Sequence, residues 1–357
     1  MARIWAYLTL FLGAFLLVLA GVVEFAVAPA AVKAPLTIPS KYTLVLSSGH
    51  NLNYFDAQAG KNVRINVWVT RTIQGDPVSG DSSVTVYNES LCLTRDTDNT
   101  HPGCVTKSDP QHRLISNTTD RVAFDRKSGM AVNDSKYHAN VNGDENIQHV
   151  GLGYKFPIDT EKKTYPFFDT VVGKAFPMKY SGEDHIEGLT VYKFVQKIVK
   201  QPAYTNLTFP STYTNTRTVW IEPTTGVIVK GRELLTQTLT GRADLNPNSK
   251  VVEPKLTGIV ALQGTLQFTS NTVKLQAQLA KENLPKIHLV RLWIPLISLI
   301  VGVLLIGVAV LLFRRSRHGG AGGDGSAEDV NEPPPVEDQP PDFRPTYADG
   351  AVESSHT

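Results

Sequence analysis

The sequence predicts a mainly β protein, in which a large β-rich domain lies between two transmembrane helices and is followed by a disordered tail. Three observations support this fold class. Two uncharged apolar runs, residues 4–23 and 292–313, lie near the two ends of the 357-residue chain. Between them, apolar residues recur at every second position, which is the period of a β-strand. After residue 318 the composition changes to Gly, Pro, Asp and Glu.

Each apolar run is long enough to cross a bilayer. A helix rises about 1.5 Å per residue, so about 20 apolar residues span a hydrocarbon core of roughly 30 Å. We predict transmembrane helices at residues 4–27 and 292–313. The first run also fits a cleaved signal peptide, because Ala28, Pro29 and Ala30 resemble a cleavage site. That run is, however, longer than the apolar part of a usual signal peptide, about 7–15 residues.

Basic residues flank both runs on the side away from the central domain. Arg3 precedes the first run, and Arg314, Arg315 and Arg317 follow the second. Positively charged residues close to a span tend to stay in the cytoplasm. We therefore expect a two-pass protein of the plasma membrane, with residues 1–3 and 314–357 in the cytoplasm and residues 33–290 outside the cell membrane.

The central domain has the pattern of half-buried strands. In residues 63–69, valine and isoleucine alternate with Arg64, Asn66 and Trp68, which predicts one buried and one solvated face. Similar patterns predict further strands near residues 84–87, 192–198, 219, 234 and 259–268. At the level of fold, a β-rich domain with a terminal helix resembles the half-barrels of lipoprotein carriers, which says nothing by itself about function.

Two stretches of the domain match each other. Residues 121–132 and 218–229 each contain an apolar strand, an acid, a Ser or Thr before a glycine, and a closing valine. Each predicts a hairpin whose turn needs Gly129 or Gly226 at positive φ. The match suggests a domain built of two similar halves.

A helix is predicted for residues 272–284, where Pro285 would separate it from the second apolar run. The tail beyond residue 318 carries nine acidic residues and one arginine. Such a segment has too little apolar surface to fold, so we expect it to be disordered.

The chain has two cysteines, Cys92 and Cys104, both in the exported domain. This pairing predicts a disulfide that closes a polar loop. Zinc is the poorer explanation, since His101 is the only imidazole nearby and further ligands are missing. The sequence predicts no metal site and no cofactor.

The charge of the domain points weakly to anionic partners. With 30 basic and 23 acidic residues, residues 33–291 carry a formal charge of +7. That surplus favours phospholipid or phosphorylated glycolipid headgroups. Nucleic acid is excluded as a partner, because the lysines and arginines are not clustered.

Catalytic motifs are missing from the sequence. It has no phosphate-binding loop, nucleophile elbow or His-Glu-x-x-His pair. The two glycines at 151 and 153 lack the third that a dinucleotide fingerprint needs, and Pro157 stands where its helix would begin. The sequence therefore favours a protein that is not an enzyme.

The most unusual stretch is residues 151–180, which is rich in aromatic residues with interleaved lysines. Its side chains fit a groove for acyl chains or sugar rings. The alternative is that they fill an ordinary β core, where buried aromatics are common. The candidate ligand-binding residues are Tyr154, Lys155, Phe156, Tyr165, Phe167 and Phe168.

Residues 27–29, 119–129, 151–165 (GLGYKFPIDTEKKTY) and 215–231 (NTRTVWIEPTTGVIVKG) are similar to the PorA family of actinobacterial cell-envelope proteins. The resemblance covers nearly the whole chain up to Arg317. It implies an actinobacterium with mycolic-acid-type lipids, two membrane anchors and a name that says porin. It also implies an association of some members with lipomannan and lipoarabinomannan maturation. It supplies no catalytic residues, and the Cys92–Cys104 loop is not part of the shared pattern.

Three functions remain open at this stage. The first is a non-catalytic envelope protein that binds a lipid or lipoglycan and supports its transport or maturation. The second is a channel-forming porin, which would need a lipid-facing closed barrel or an assembly of helices. The third is an envelope glycan-processing enzyme. Homo-oligomerisation and partners in envelope biogenesis are left open.

Overall fold

A computed structural model of the chain describes residues 2–205, 209–240 and 257–318. These residues form one 11-stranded antiparallel sheet that curls into a half-barrel, with long helices before and after it. The strands are β1 Leu44–Asp56, β2 Lys61–Gly75, β3 Val84–Asp96, β4 Leu114–Asp125, β5 Asn140–Val141, β6 Tyr165–Asp169, β7 Lys174–Ile186, β8 Leu189–Thr205, β9 Phe209–Glu222, β10 Val227–Leu239 and β11 Val260–Phe268.

The strand order is β5-β4-β3-β2-β1-β11-β10-β9-β8-β7-β6, so the first and last strands pair at the centre of the sheet. The edges of the sheet approach each other through two short segments. Ala131 pairs with β4 at Phe124 and donates its N–H to the carbonyl of Gly151 at 2.8 Å. Leu152 then donates to the carbonyl of Pro166 in β6 at 2.8 Å. The concave face is thereby enclosed and forms a lumen.

The strands predicted from alternation are present. In β2 the side chains of Ile65 and Val67 are buried while Arg64 is exposed. The predicted disulfide between Cys92 and Cys104 is also present, and it holds the loop after β3 against the convex face. His101 in that loop lies 2.8 Å from the hydroxyl of Thr70. The predicted disordered tail lies outside the described residues.

Helix bounds differ from those expected. The first helical stretch comprises α1 (Ala2–Val22), a π-helical segment (Val23–Val27) and α2 (Ala28–Ala31). The second comprises α3 (Ser270–His288), a π-helical segment (Leu289–Trp293) and α4 (Ile294–His318). Both stretches are long and apolar enough to cross a membrane.

The expected helix end at Pro285 is wrong, because α3 continues through that proline. A proline within a helix costs one backbone hydrogen bond and favours a kink, but packing of the flanking segments overrides this local preference. Pro29 likewise lies inside the first stretch, at the start of α2, where its missing N–H costs little.

The two apolar helices pack against each other as an antiparallel pair. Their closest approach is at Gly13 and Gly302, where a Cβ on Gly13 would lie 2.8 Å from Ile306 Cγ1 and 2.9 Å from the Gly302 carbonyl oxygen. Ala6 and Ala309 are fully buried in the same interface. Small residues allow such close backbone approach, which is how helices associate within lipid.

Helix α3 joins the sheet to α4 without a flexible linker. Thr269 caps α3 by accepting a hydrogen bond from the N–H of Thr272 at 3.2 Å. The hydroxyl of Thr272 donates to the carbonyl of Leu46 in β1 at 2.8 Å. Further along, Ala277 and Ala280 pack on Val191 and on other apolar residues of the convex face.

The two matching turns lie at the end of the half-barrel nearest the helices. Gly129 and Gly226 have φ values of 71° and 72°, and the acid before each turn accepts backbone N–H groups, Asp125 from Ser128 at 2.7 Å and Glu222 from Thr225 at 2.8 Å. Residues 155–160, which we name the strap, lie across both turns. This end of the half-barrel is thereby closed.

Backbone hydrogen bonds hold the strap on both turns. Phe156 donates to the carbonyl of Gly226 at 2.9 Å, and Ile158 donates to the carbonyl of Lys127 at 3.1 Å. Asp159 forms an ion pair with Arg291, which lies in the helical stretch that leads into α4. The strap therefore connects the two halves of the sheet to the second apolar helix.

The first prediction concerns the Gly226 turn. A Cβ at Gly226 would overlap the carbonyl oxygen of Phe156, whereas a Cβ at Gly60, which also has positive φ, would meet nothing within 4 Å. Gly226→Ala should lower the free energy of unfolding by about 3 kcal/mol, and Gly60→Ala by only about 1 kcal/mol. Chemical denaturation of the full-length chain in detergent, followed by tryptophan fluorescence, measures both values. Equal losses in the two variants would show that the strap does not press on this turn.

Candidate functional site

The lumen of the half-barrel holds a cavity of about 250 Å³. Apolar side chains from both halves of the sheet form much of its wall, and charged side chains lie among them. The apolar lining includes Val69, Leu93, Phe124, Phe167, Leu235 and Leu266, and the polar lining includes Arg71, Glu89, Asp120, His149, Arg217 and Glu233. Such a mixture of apolar wall and a few converging polar groups is typical of a ligand site.

The charged residues face inward because of strand alternation. Arg71 follows Val69 by two positions and Arg217 precedes Val219 by two, so each shares the concave face with an apolar neighbour. Strand register then sets them side by side, Arg217 opposite Glu233 and Glu89 opposite Asp120. We call Arg71, Glu89, Asp120, Arg217 and Glu233 the ionic layer. Sequence reasoning missed this layer, although charges at inward positions of the alternation would have been a signal.

Arg217 is the most extensively bonded member of the ionic layer. Its Nε donates to Glu233 at 2.8 Å, one terminal nitrogen donates to Gln196 at 2.9 Å, and the other donates to Asp169 at 2.9 Å. Asp169 is completely buried. Because buried charges are tolerated only when paired and hydrogen-bonded, Arg217 and its two carboxylates require each other. They connect the edge strand β6 to β9 and β10.

A second group of polar side chains surrounds Asp120. The carboxylate accepts a hydrogen bond from the hydroxyl of Tyr154 at 2.8 Å and lies 2.7 Å from Nε2 of His149. Glu89, on the neighbouring strand, pairs with Arg71 at 3.4 Å. The carboxylates of Glu89 and Asp120 therefore share one region of the lumen with the guanidinium of Arg71.

Burial shifts the pKa values of three acids in and beside the ionic layer, Glu89, Asp169 and Glu233. It raises the pKa of the Glu89 carboxyl, and the charge of Arg71 opposes that shift. It also raises the pKa of Asp169 despite the attraction of Arg217. Burial is also the largest single influence on Glu233 and acts in the same direction, but the charge and hydrogen bond of Arg217, with smaller contributions from Arg71 and Asn215, together lower the pKa of this carboxyl. Glu89 therefore binds a proton more readily than Glu233.

One polar atom on the cavity wall has no partner among the described residues. Nδ1 of His149 is buried without a hydrogen bond, and the whole residue is 2% exposed. Buried polar atoms are nearly always hydrogen-bonded, and leaving one unpaired costs about 1–3 kcal/mol. The vacant acceptor or donor site at this nitrogen is therefore a place where a ligand can bind.

The structure brings only part of the predicted aromatic set to the lumen. Tyr154, Phe167 and Phe168 line the cavity. Phe156 and Tyr165 lie in the core between β6 and β9, where Phe156 is completely buried. Their packing is that of ordinary core residues, the alternative that the sequence left open.

Lys155 lies in the strap, away from the cavity wall. Its Nζ is 3.4 Å from the carbonyl oxygen of Lys127. Burial lowers the pKa of this ammonium group to about 8, and the charge of Asp125 opposes the shift. Lys155 is therefore placed beside a turn of the sheet, at the end of the half-barrel nearest the helices.

Metal binding receives no support from the part of the chain that the structure describes. No group of three or more His, Cys, Asp or Glu side chains is placed there to hold an ion. The polar groups of the lumen are suited to binding by hydrogen bonds and charge instead.

Comparison with known proteins places the chain in a family. A sequence profile described as Porin PorA matches residues 5–311, which include all eleven strands and most of both apolar helices. The chain belongs to the Porin PorA family. The resemblance inferred from residues 119–129, 151–165 and 215–231 is thereby confirmed.

Two relatives illustrate the range of the Porin PorA family. A protein named Porin PorA from Corynebacterium resistens is 26% identical over 291 residues, which cover 58% of this chain and 70% of the relative. A protein of the same name from Corynebacterium amycolatum is 28% identical over 167 residues, 34% of this chain and 43% of the relative. The match thus spans less than half of the second relative. Membership of a porin family points to a non-enzymatic envelope protein associated with a membrane.

The second prediction concerns Arg217. Replacing it with methionine leaves Asp169 and Glu233 buried without their main partner, so Arg217→Met should lower the free energy of unfolding by about 3–5 kcal/mol. Arg64→Met, an equal change at an exposed position on the convex face, should cost less than about 0.5 kcal/mol. Chemical denaturation of both full-length variants in detergent gives the two values. A loss below 1 kcal/mol in Arg217→Met would contradict the role assigned to this network.

Proposed function

We propose that this Porin PorA family member is a non-catalytic envelope protein that binds a lipid or lipoglycan in its lumen and supports the transport or maturation of that ligand. The single observation that carries the proposal is the lumen itself. It combines apolar walls with an ionic layer, as a site for an amphiphile must. The family resemblance adds lipomannan and lipoarabinomannan as the type of lipoglycan.

The link between the sheet and the membrane helices supports this proposal. A lumen that receives an amphiphile from a bilayer has to stand next to that bilayer. Helix α3 packs on the sheet and continues into α4, and the Asp159–Arg291 ion pair fixes the strap to the same helical stretch. The half-barrel is therefore held close to the surface from which its ligand would come.

We place the protein in the plasma membrane with two passes, both termini in the cytoplasm and the sheet outside. The basic flanks, Arg3 on one side and Arg314, Arg315 and Arg317 on the other, support this orientation. Trp5 and Trp293 lie near the opposite ends of the helix pair and are about half exposed, as suits residues at a membrane interface.

The third prediction tests this topology. Alkaline phosphatase fused after Thr357 should be inactive and a fluorescent protein there should be bright, because the C-terminus lies in the cytoplasm. The same phosphatase inserted between Gly60 and Lys61, in a turn of the sheet, should be active. An active phosphatase at Thr357 would reverse the orientation and remove the basis for an external lumen.

A channel-forming porin is the second candidate, and the name Porin PorA of the two relatives favours it. A barrel that crosses a membrane presents an apolar band to lipid. Here the convex face carries exposed charges, among them Arg64, Lys179 and Lys197. A channel would therefore have to be formed by the apolar helices of several chains. Within residues 4–23 and 292–313 the only aliphatic hydroxyl side chains are Thr9 and Ser298.

An envelope glycan-processing enzyme is the third candidate. The acids of the lumen are close together, but none of them belongs to a recognised catalytic motif. The porin family name also favours a protein without enzymatic activity. We therefore keep this reading behind the other two.

The fourth prediction separates the first two candidates. Purified, delipidated protein should bind fluorescent lipids with apparent Kd in the micromolar range, and the same preparation should produce no conductance steps in planar bilayers. Phe168→Ala opens the lumen wall and should weaken lipid binding. Tyr42→Ala, which removes a buried aromatic outside the lumen, should leave affinity unchanged wherever the variant folds.

Reproducible single-channel steps from pure protein, with no lipid binding, would favour the porin instead. In cells, deletion of the gene should change the profile of envelope glycolipids, and a Phe168→Ala copy should fail to restore that profile. Restoration by this variant would argue that Phe168 is a core residue without a role in binding.

A further inference from the structure

We infer that the lumen binds one neutral, polyhydroxylated ring, a sugar or a cyclitol, beside the ionic layer through Arg71, His149 and the ring of Phe168. The inference deepens the proposed function and rests on it, since it states which part of the ligand lies in the lumen. The ring can be the headgroup of a lipid or a free sugar, and the chemistry that recognises it is the same.

The size of the cavity limits the ligand. Pockets for drug-sized molecules have about 300–1,000 Å³, and the lumen has about 250 Å³. The strap closes one end of the half-barrel through hydrogen bonds to both turns. The space therefore matches a single ring with its hydroxyl groups, and further sugar units of a larger ligand would lie outside it.

The charges of the layer favour a neutral ligand. The positive charge of Arg217 is already paired with the carboxylates of Asp169 and Glu233. Arg71 lies beside the acids Glu89 and Asp120, so no positive charge is left over to neutralise an anionic headgroup. A hydroxyl group carries no charge and both donates and accepts, which suits a site in which donors and acceptors are mixed.

Arg71 is the donor that remains available in this site. Within the described residues its side chain makes one ion pair, from Nε to Glu89 at 3.4 Å, and it is 34% exposed. Its terminal nitrogens form no hydrogen bond there, whereas those of Arg217 donate to Gln196 and Asp169. A guanidinium with unused N–H groups beside a carboxyl can hold two neighbouring hydroxyl oxygens of a ring.

His149 supplies an acceptor. The carboxylate of Asp120 can only accept, so Nε2 of His149 donates to it across 2.7 Å. In the neutral ring this leaves Nδ1 as an acceptor, and Nδ1 is the buried atom without a partner. A ligand hydroxyl that donates to Nδ1 removes the cost of leaving this atom unpaired.

An aromatic face next to this acceptor completes the site. The ring of Phe168 lies 4.7 Å from that of His149, and both residues line the cavity. The C–H face of a sugar or cyclitol is apolar and packs on aromatic rings, while its hydroxyls reach polar groups at the edge. The donor Arg71, the acceptor His149 and the apolar face of Phe168 therefore line the same cavity, and a single sugar or cyclitol ring would need all three kinds of contact.

Ligand-observed NMR on the delipidated full-length chain tests the inference, in a polyoxyethylene detergent that contains no sugar. The free-ring probes are D-glucose, D-mannose and myo-inositol. The amphiphile probes are octyl glucoside and octyl phosphocholine, which share a tail, both below their critical micelle concentrations. At least one free ring should bind, and octyl glucoside should bind at least tenfold more tightly than octyl phosphocholine.

Two variants and a control assign the contacts. Arg71→Met and His149→Phe should each weaken ring binding at least tenfold. His149→Gln keeps an acceptor oxygen and should restore part of the affinity. Arg64→Met, on the opposite face of the same strand, should bind as the unaltered chain does. Circular dichroism and thermal unfolding establish whether each variant is folded. If His149→Phe does not fold, the binding measured for Arg71→Met decides the test.

The possible outcomes separate this inference from the proposed function. Equal binding of the two octyl amphiphiles, with no effect of Arg71→Met, overturns the ring site and leaves lipid binding in place. If none of the amphiphiles binds, both the ring site and the proposed lipid binding are overturned. Binding of free rings with a tenfold loss in Arg71→Met, whether or not a tail adds affinity, supports the ring site.

Discussion

The structure depends on charges buried inside a β half-barrel. Arg217 binds Asp169 and Glu233, and these side chains come from three strands, of which β6 does not pair directly with β9 or β10. Removing one partner would leave an uncompensated charge in a region of low dielectric constant. The network therefore demands a definite arrangement of β6, β9 and β10. In the other half of the sheet, the pairing of β3 with β4 sets Glu89 opposite Asp120.

The direction of the strands and the position of the strap connect the lumen to the helices. The two matching turns stand at one end of the half-barrel because β4 and β9 run in the same direction in their halves of the sheet. The strap crosses both turns and is paired through Asp159 with Arg291. Since α3 also continues into α4 without interruption, movement of the apolar helices would act directly on the strap and on the end of the lumen that it closes.

Family membership and geometry bear on different aspects of function. The profile of the Porin PorA family covers both helices and the whole sheet, which indicates that the arrangement is a unit of the family. The porin name suggests a channel, whereas the exposed charges of the convex face are unsuited to contact with lipid tails. The proposed binding of an amphiphile in the lumen would use both features of the chain, the apolar helices as anchors and the sheet as a container.

Local sequence patterns determined much of this architecture. Alternation in residues 63–69 defined a strand, the left-handed turns at Gly129 and Gly226 required glycine, and a lone pair of cysteines defined a disulfide, because each depends on neighbours in the chain or on covalent chemistry. The continuation of α3 through Pro285 and the sorting of Tyr154 from Phe156 between lumen and core did not follow from such patterns. Nor did the meeting of Arg71, Glu89, Asp120, Arg217 and Glu233, which lie up to 162 positions apart. Only the curvature and register of the complete sheet bring those charges together. Contacts across a half-barrel join strands that are far apart in the sequence, and local patterns do not show which of these strands lie side by side.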